Sequence, residues 1–138
     1  MKDLVFIDSS AFIALNDSSS PWREKSLSWV RSIFSETVGL CTSMGVIVDT
    51  ASKLKKNVSF DRAERFLKLL KKPGIQILEE NEEIQEEAWE LFLQSKGISE
   101  VSFYDCMKVA TMHYFGITKI FTFEKYFDKL QVVRVPKG

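Results

Sequence analysis

The chain has 138 residues, 45% of them hydrophobic and 12% aromatic, and its 19 Lys plus Arg balance 19 Asp plus Glu. That length and composition describe a globular chain able to bury one substantial core, so a disordered chain is excluded and one domain over residues 1–138 is expected. The longest apolar runs fall far short of a membrane span of about 20 residues, no signal peptide is visible, and a cytoplasmic protein with no membrane attachment is expected.

Cys41 and Cys106 lack CxxC or Cys/His spacing, which argues against a zinc site or a disulfide framework and for buried free thiols. Net charge carries no hint of a nucleic-acid partner, but its distribution is uneven. Between Lys53 and Lys72 stand eight basic residues against two acids, and between Glu79 and Glu90 seven glutamates and no base. Such blocks read as solvated helix faces, although a basic strip can also follow a phosphate backbone.

In chain order, Leu4 to Ile7 reads as a short buried strand that ends on Asp8. Ser10 to Leu15 reads as a short helix. Ser20 caps a second helix with Pro21 at its first position, running towards Glu36 with Trp22, Leu27, Trp29, Val30, Ile33 and Phe34 on its apolar side. Val38 to Thr42 is a second strand. Ser43 caps a helix to about Lys56, and Ser59 begins another with the stripe Phe60, Ala63, Phe66, Leu67 and Leu70, stopped at Pro73-Gly74.

Ile75 to Leu78 is a third strand, followed by a helix capped by Asn81 with Ile84, Ala88, Leu91 and Phe92 inward, before Gly97. Ser102 starts the next helix, with Phe103, Cys106, Met107, Ala110 and Tyr114 inward and a stop at Gly116. Lys119 to Phe123 is a fourth strand and Val132 to Val135 a fifth. Strands that alternate with helices over connections too long for hairpins predict a mainly parallel open sheet of four to five strands, with helices on both faces. Sites in such sheets form beyond the carboxyl ends of the strands, where the strand order reverses. Asp8 and Glu124 lie at two such ends.

Four acids are candidates for one site. Asp8 reads equally as a turn residue or as a ligand aimed by its strand. Asp49 lies amid Val46, Ile47, Val48, Thr50 and Ala51, on or beside an inward helix face, where a carboxylate needs a partner: a lysine, a place at the edge of the stripe, or a metal. Asp105 stands at N3 from Ser102, the spacing of a capping box, and the helix's first turn also favours a carboxylate that meets a cation. Glu124 is either a first-turn helix acid or a strand-end ligand. Carboxylates are the donors that hard cations such as Mg²⁺ or Mn²⁺ prefer.

Val5-Phe6-Ile7-Asp8-Ser9-Ser10-Ala11, Thr42-Ser43 through Val48-Asp49-Thr50, Ser102-Phe103-Tyr104-Asp105-Cys106 and Ile120-Phe121-Thr122-Phe123-Glu124-Lys125-Tyr126-Phe127 together resemble the four signature blocks of PIN-domain ribonucleases, particularly VapC-type toxins. The resemblance covers nearly the whole chain. It implies a three-layer α/β/α fold and a metal-dependent endoribonuclease. Asp8, Asp49, Asp105 and Glu124 would hold one or two Mg²⁺ or Mn²⁺ ions that activate water against an RNA phosphodiester. Ser10 and Thr122 match small hydroxyl positions that orient the acids or water. A toxin–antitoxin role, a cognate antitoxin and a homodimer follow from the same resemblance.

Two positions depart from the family pattern: Asp49 stands where Glu is usual, and Glu124 where Asp is usual. Each exchange keeps the charge and moves the carboxylate by one methylene. The exchanges sustain an alternative, a catalytically weak PIN-like RNA- or protein-binding module. A Mg²⁺-dependent phosphoryl-transfer or receiver-like domain is a further alternative, opposed by Glu79-Glu80 where a receiver needs an accepting aspartate. His113, the only histidine, reads as a packing residue, and Cys106 as a buried thiol without an activating base. Trp22, Trp29 and Trp89 read as core or interface residues with no site role.

Overall fold

The run that ends on Asp8 forms the middle of the sheet. In the computed structural model, which describes residues 3–33 and 38–137, β1 (Asp3–Ile7) is flanked by β2 (Val38–Ser43) and β4 (Lys119–Phe121), with β3 (Ile75–Leu78) and β5 (Val133–Val135) at the edges. The order is β3-β2-β1-β4-β5, and every neighbouring pair is parallel. Successive strand side chains point to opposite faces, yet Val5, Phe6 and Ile7 are all buried, so both faces of β1 are covered. The covering helices are α1 (Ser9–Asn16), α2 (Arg23–Ile33), α3 (Met44–Asn57), α4 (Phe60–Leu70), α5 (Glu82–Gln94) and α6 (Phe103–Tyr114). This is the expected α/β/α arrangement on a parallel sheet.

The core gathers on β1, β2 and β4. Phe6, Phe121 and Phe127 have no exposed surface, and each such burial stabilises the fold by about 1.5–3 kcal/mol. Phe12 of α1 meets Phe66 of α4 edge-on at 5.0 Å between ring centroids. A second cluster, Ile84, Ala88, Val101, Cys106 and Ala110, ties α5 to α6.

The topology determines where a site can lie. From β1 the chain proceeds outward through β2 and β3, then crosses back to β4 on the other side of β1. The order therefore reverses between β1 and β4, and their carboxyl ends are level: Ile7 pairs with Phe121, and the Asp8 N–H donates to the Phe121 carbonyl at 3.0 Å.

Caps behave as their chemistry dictates. Ser43, Ser59 and Asn81 accept from Val46, Arg62 and Ile84 N–H, and Ser102 forms a full capping box with Asp105. Gly116 takes φ +69 just past α6, a conformation that suits glycine.

Several boundaries differ from the sequence reading. Pro21 and Trp22 form a turn before α2, because the Ser20 hydroxyl accepts from Trp22 N–H and closes a local turn there. The expected continuation of α2 to Glu36 and the placement of Phe34 lie outside the described residues. β4 ends at Phe121, although the Thr122 N–H still donates to the Val135 carbonyl of β5 at 3.2 Å. The α4 stripe is only partly inward: Ala63 and Phe66 are buried, but Phe60 is 59% exposed and joins Leu67, Met44 and Ile77 along an open apolar groove of about 590 Å³. On α5 and α6, Phe92, Phe103 and Tyr114 are exposed too, since the inward stripes there are narrower than the apolar spacing suggested. No helix among the described residues is long and apolar enough to cross a membrane.

Candidate active site

Asp8 occupies the N-cap position of α1, where a carboxylate ordinarily accepts from the helix N–H groups, but its side chain makes no capping bond. It turns into the gap between β1 and β4 instead, and it is 2% exposed. Its Oδ2 accepts from the Thr122 hydroxyl at 2.8 Å, with Ser10 Oγ at 3.4 Å. The two hydroxyls lie 3.0 Å apart, and they accept from Glu124 N–H and Phe123 N–H respectively. Each hydroxyl has one proton, so with Thr122 donating to Asp8, Ser10 donates either to Thr122 or to the same Asp8 oxygen. The chain turn after β4 is thus bonded to the carboxylate after β1.

Asp105 caps α6 and also turns one oxygen towards Lys108. Its Oδ2 accepts from Ser102 N–H at 2.9 Å within the capping box, and its Oδ1 faces the site. It is 4% exposed. Asp49, on α3, lines the same cleft but keeps about a third of its side chain exposed and pairs with Lys53 at 3.1 Å, one turn on. Glu124 lines the cleft from just past β4 and forms no ion pair among the described residues. The fold therefore brings all four acids to one cleft of about 550 Å³, two of them buried and two towards its rim.

Lys108 is the residue that the sequence reading passed over. It is only 5% exposed, and its Nζ lies 2.7 Å from Asp8 Oδ1 and 3.4 Å from Asp105 Oδ1. The ammonium is the partner of that buried Asp8 oxygen, which meets no other donor among the described residues. Burial works against the ammonium, but the Asp8 carboxylate, then Asp105 and Asp49, outweigh it and raise the Lys108 pKa above the ordinary lysine value. The rings of Tyr104 and Phe127 stand 5.0 and 6.0 Å from Nζ.

Burial, followed by the Asp105 charge, raises the pKa of the Tyr126 hydroxyl, and burial likewise raises that of Tyr104. Trp22 was expected to have no part in the site. It lines the cleft, stacked on Phe123 at 4.9 Å and 11°. Trp29 packs on Phe121, whereas Trp89 is 61% exposed and belongs to no core. His113 pairs with Glu87 on the surface, and both cysteines are buried.

The donor set fits a hard divalent cation at Asp8 and Asp105. Both offer carboxylate oxygens, and the Lys108 ammonium already stands in as a cation between them. Mg²⁺ commonly uses one or two carboxylates and keeps several waters, so this pair suffices. Among the described residues no three His, Cys, Asp or Glu side chains stand together as a ready-made cluster.

A parallel α/β/α sheet with carboxylates gathered at its switch point defines a class of α/β domains whose ligand site lies at that point. The PIN domain model matches residues 5–133, nearly the whole chain, and the chain belongs to that family. Among solved structures, the chain is similar to the Mycobacterium tuberculosis toxin VapC20, described as cleaving the sarcin-ricin loop. Identity is 21%, the TM-score is 0.83, and the match covers 94% of this chain and 96% of that one. It is also similar to VapBC2 from Rickettsia felis bound to a promoter DNA fragment, with 8% identity, TM-score 0.74 and coverage of 95% and 96%. VapBC-1 from nontypeable Haemophilus influenzae gives 15% identity, TM-score 0.70 and the same coverage. At these identities the likeness is one of fold. Comparison with curated protein sequences returns no match.

Proposed function

We propose that the chain is a single-domain, divalent-metal-dependent endoribonuclease, the toxin of a toxin–antitoxin pair, with its site in the cleft between β1 and β4. The observation that carries this reading is the pair of buried carboxylates, Asp8 and Asp105, converging on one cation position at the switch point of a PIN-domain sheet. Asp8 and Asp105 would hold Mg²⁺ or Mn²⁺, with Asp49 and Glu124 at the rim. The ion, when bound, polarises a water and neutralises charge on the phosphodiester.

The chain's own residues do the rest. Thr122 and Ser10 fix the Asp8 carboxylate through the hydroxyl relay, and the capping box fixes Asp105. Trp22 and Phe123 offer a stacking surface beside the acids, where single-stranded RNA bases have an apolar platform. Two apolar surfaces support the partner half of the reading, which invokes an antitoxin and a second copy of the chain. One is the groove of Phe60, Leu67, Met44 and Ile77, and the other is the patch of Trp89, Phe92, Leu93 and Phe103.

The test is RNA cleavage by the purified chain in Mg²⁺ or Mn²⁺. Activity is expected to vanish in EDTA, in Asp8→Asn and in Asp105→Asn, and cleavage retained by both variants would sink the assignment. Lys108 in the cation position favours a second reading, a catalytically weak RNA- or protein-binding module. That reading predicts no cleavage by the native chain with any divalent metal, and nuclease activity only after Asp49→Glu with Glu124→Asp.

A further inference from the structure

Lysine is among the residues least often buried, and it is buried only when paired. Lys108 lies on α6 three residues beyond Asp105, which sets its ammonium beside that carboxylate and within reach of the end of β1. Two carboxylates and two aromatic rings surround Nζ. Without a cation there, Asp8 and Asp105 would face each other as buried like charges, an arrangement that low polarity makes costly. Lys108 removes that cost, and it does so at the point where an inorganic ion would have to bind.

We propose that Lys108 is a tethered cation holding the divalent-ion position, so that an ion enters only as the ammonium withdraws and the site's metal affinity is set by that competition. The proposal rests on the reading of Asp8 and Asp105 as metal ligands. The cleft gives the displaced side chain somewhere to go: Lys108 lines it together with Asp49, Glu100 and Glu124, whose carboxylates keep a withdrawn ammonium in acidic surroundings.

The test compares Mn²⁺ binding by calorimetry in the native chain, Lys108→Met, and Lys108→Met combined with Asp8→Asn. Lys108→Met is expected to bind Mn²⁺ on the order of tenfold more tightly or better than the native chain, and the added Asp8→Asn to abolish the gain. Melting follows the same pattern, with Mn²⁺ raising the midpoint of Lys108→Met more than that of the native chain. Equal Mn²⁺ affinity in the native chain and Lys108→Met overturns the competition while leaving the metal site standing. Absence of binding in both removes the metal site as well. Should Lys108→Met fail to fold, the native chain still decides: the Lys108 ammonium resonance, followed by ¹H–¹⁵N NMR, should shift or exchange away as Mg²⁺ saturates the site. An unchanged resonance at saturation overturns the proposal.

Discussion

The hydroxyl end of Tyr104 occupies the space that a Cβ on Gly45 would fill. Gly45 lies in the first turn of α3 and Tyr104 in the first turn of α6, so the missing side chain lets the two helix starts close over the cleft. Tyr104 then reaches Ser43 with its hydroxyl, at 3.4 Å, and Lys108 with its ring. Gly45→Ala forces the Tyr104 ring aside, and overpacking of this kind costs about 1–3 kcal/mol, offset by up to about 1 kcal/mol of helix propensity. Denaturant unfolding should show a net loss for Gly45→Ala in the native background. With Tyr104→Ala already present, the same change should be neutral or stabilising; an equal loss in both backgrounds would show that the clash is not the cause.

Thr122 has no exposed surface, and its hydroxyl is the shortest hydrogen bond to Asp8. Thr122→Val keeps the shape but leaves Asp8 Oδ2 and the Glu124 N–H without that partner. A hydrogen bond to a charged group is worth about 1.5–3 kcal/mol, and a loss of that size is expected in urea titrations. Thr122→Ser keeps the hydroxyl and should lose only the methyl, about 0.8 kcal/mol. Under the proposed function, Thr122→Val also lowers RNA cleavage and Thr122→Ser largely preserves it. Equal effects of the two variants would show that the methyl, not the hydroxyl, matters.

The elements that could be read in the sequence were those where local chemistry and fold agree. β1 is an unbroken apolar run because it is buried on both faces, and Asp8 stands out because a charge ends that run. Ser43, Ser59, Asn81 and Ser102 announce their helices by capping chemistry that depends on no distant contact. Lys108 was illegible for the opposite reason. Between Met107 and Val109 it resembles any charge on an amphipathic helix, and its partner Asp8 is brought near only by the crossover to β4. The end of β4 was overrun because Thr122-Phe123 continues the apolar alternation, while the Thr122 and Ser10 hydroxyls turn that segment towards Asp8. Trp89 spaces like a core residue, yet the buried stripe of α5 is confined to Ile84 and Ala88.

Stability should fall on the alkaline side. Burial pushes the Cys41 thiol from an ordinary 9.0 up to about 12, so between those pH values the folded chain keeps a proton that the unfolded chain releases. The unfolded state then binds fewer protons, and the free energy of unfolding declines as pH rises, by about 1.4 kcal/mol per unit for one full proton. Tyr104, Tyr126 and Lys108 are raised as well and act with the same sign, beginning above their unfolded values. Urea unfolding from pH 7 to 11 should therefore be flat up to about 9 and decline beyond. Cys41→Ala should soften the first part of the decline, and stability that climbed with pH in this range would contradict these assignments. Thiol titration at pH 8 should find Cys41 and Cys106 unreactive until the chain unfolds, as both are buried.

Trp22 carries the last expectation. Its ring lies nearly parallel to Phe123 at the cleft, and 44% of the residue remains exposed, so much of its surface is free for a ligand. Stacking of a nucleic-acid base on such a ring is worth about 1–3 kcal/mol. If RNA enters beside Asp8 and Asp105, Trp22→Ala should weaken binding of a labelled single-stranded RNA by about that amount, measured by fluorescence anisotropy in EDTA so that cleavage does not intervene. Trp22→Phe keeps an aromatic face and should lose less. Quenching of tryptophan emission by the same RNA should shrink in either variant, because Trp29 and Trp89 do not line the cleft. Unchanged affinity in Trp22→Ala would place the RNA path elsewhere, and the basic face of α3 and α4 between Lys53 and Lys72 would then be the surface to neutralise next.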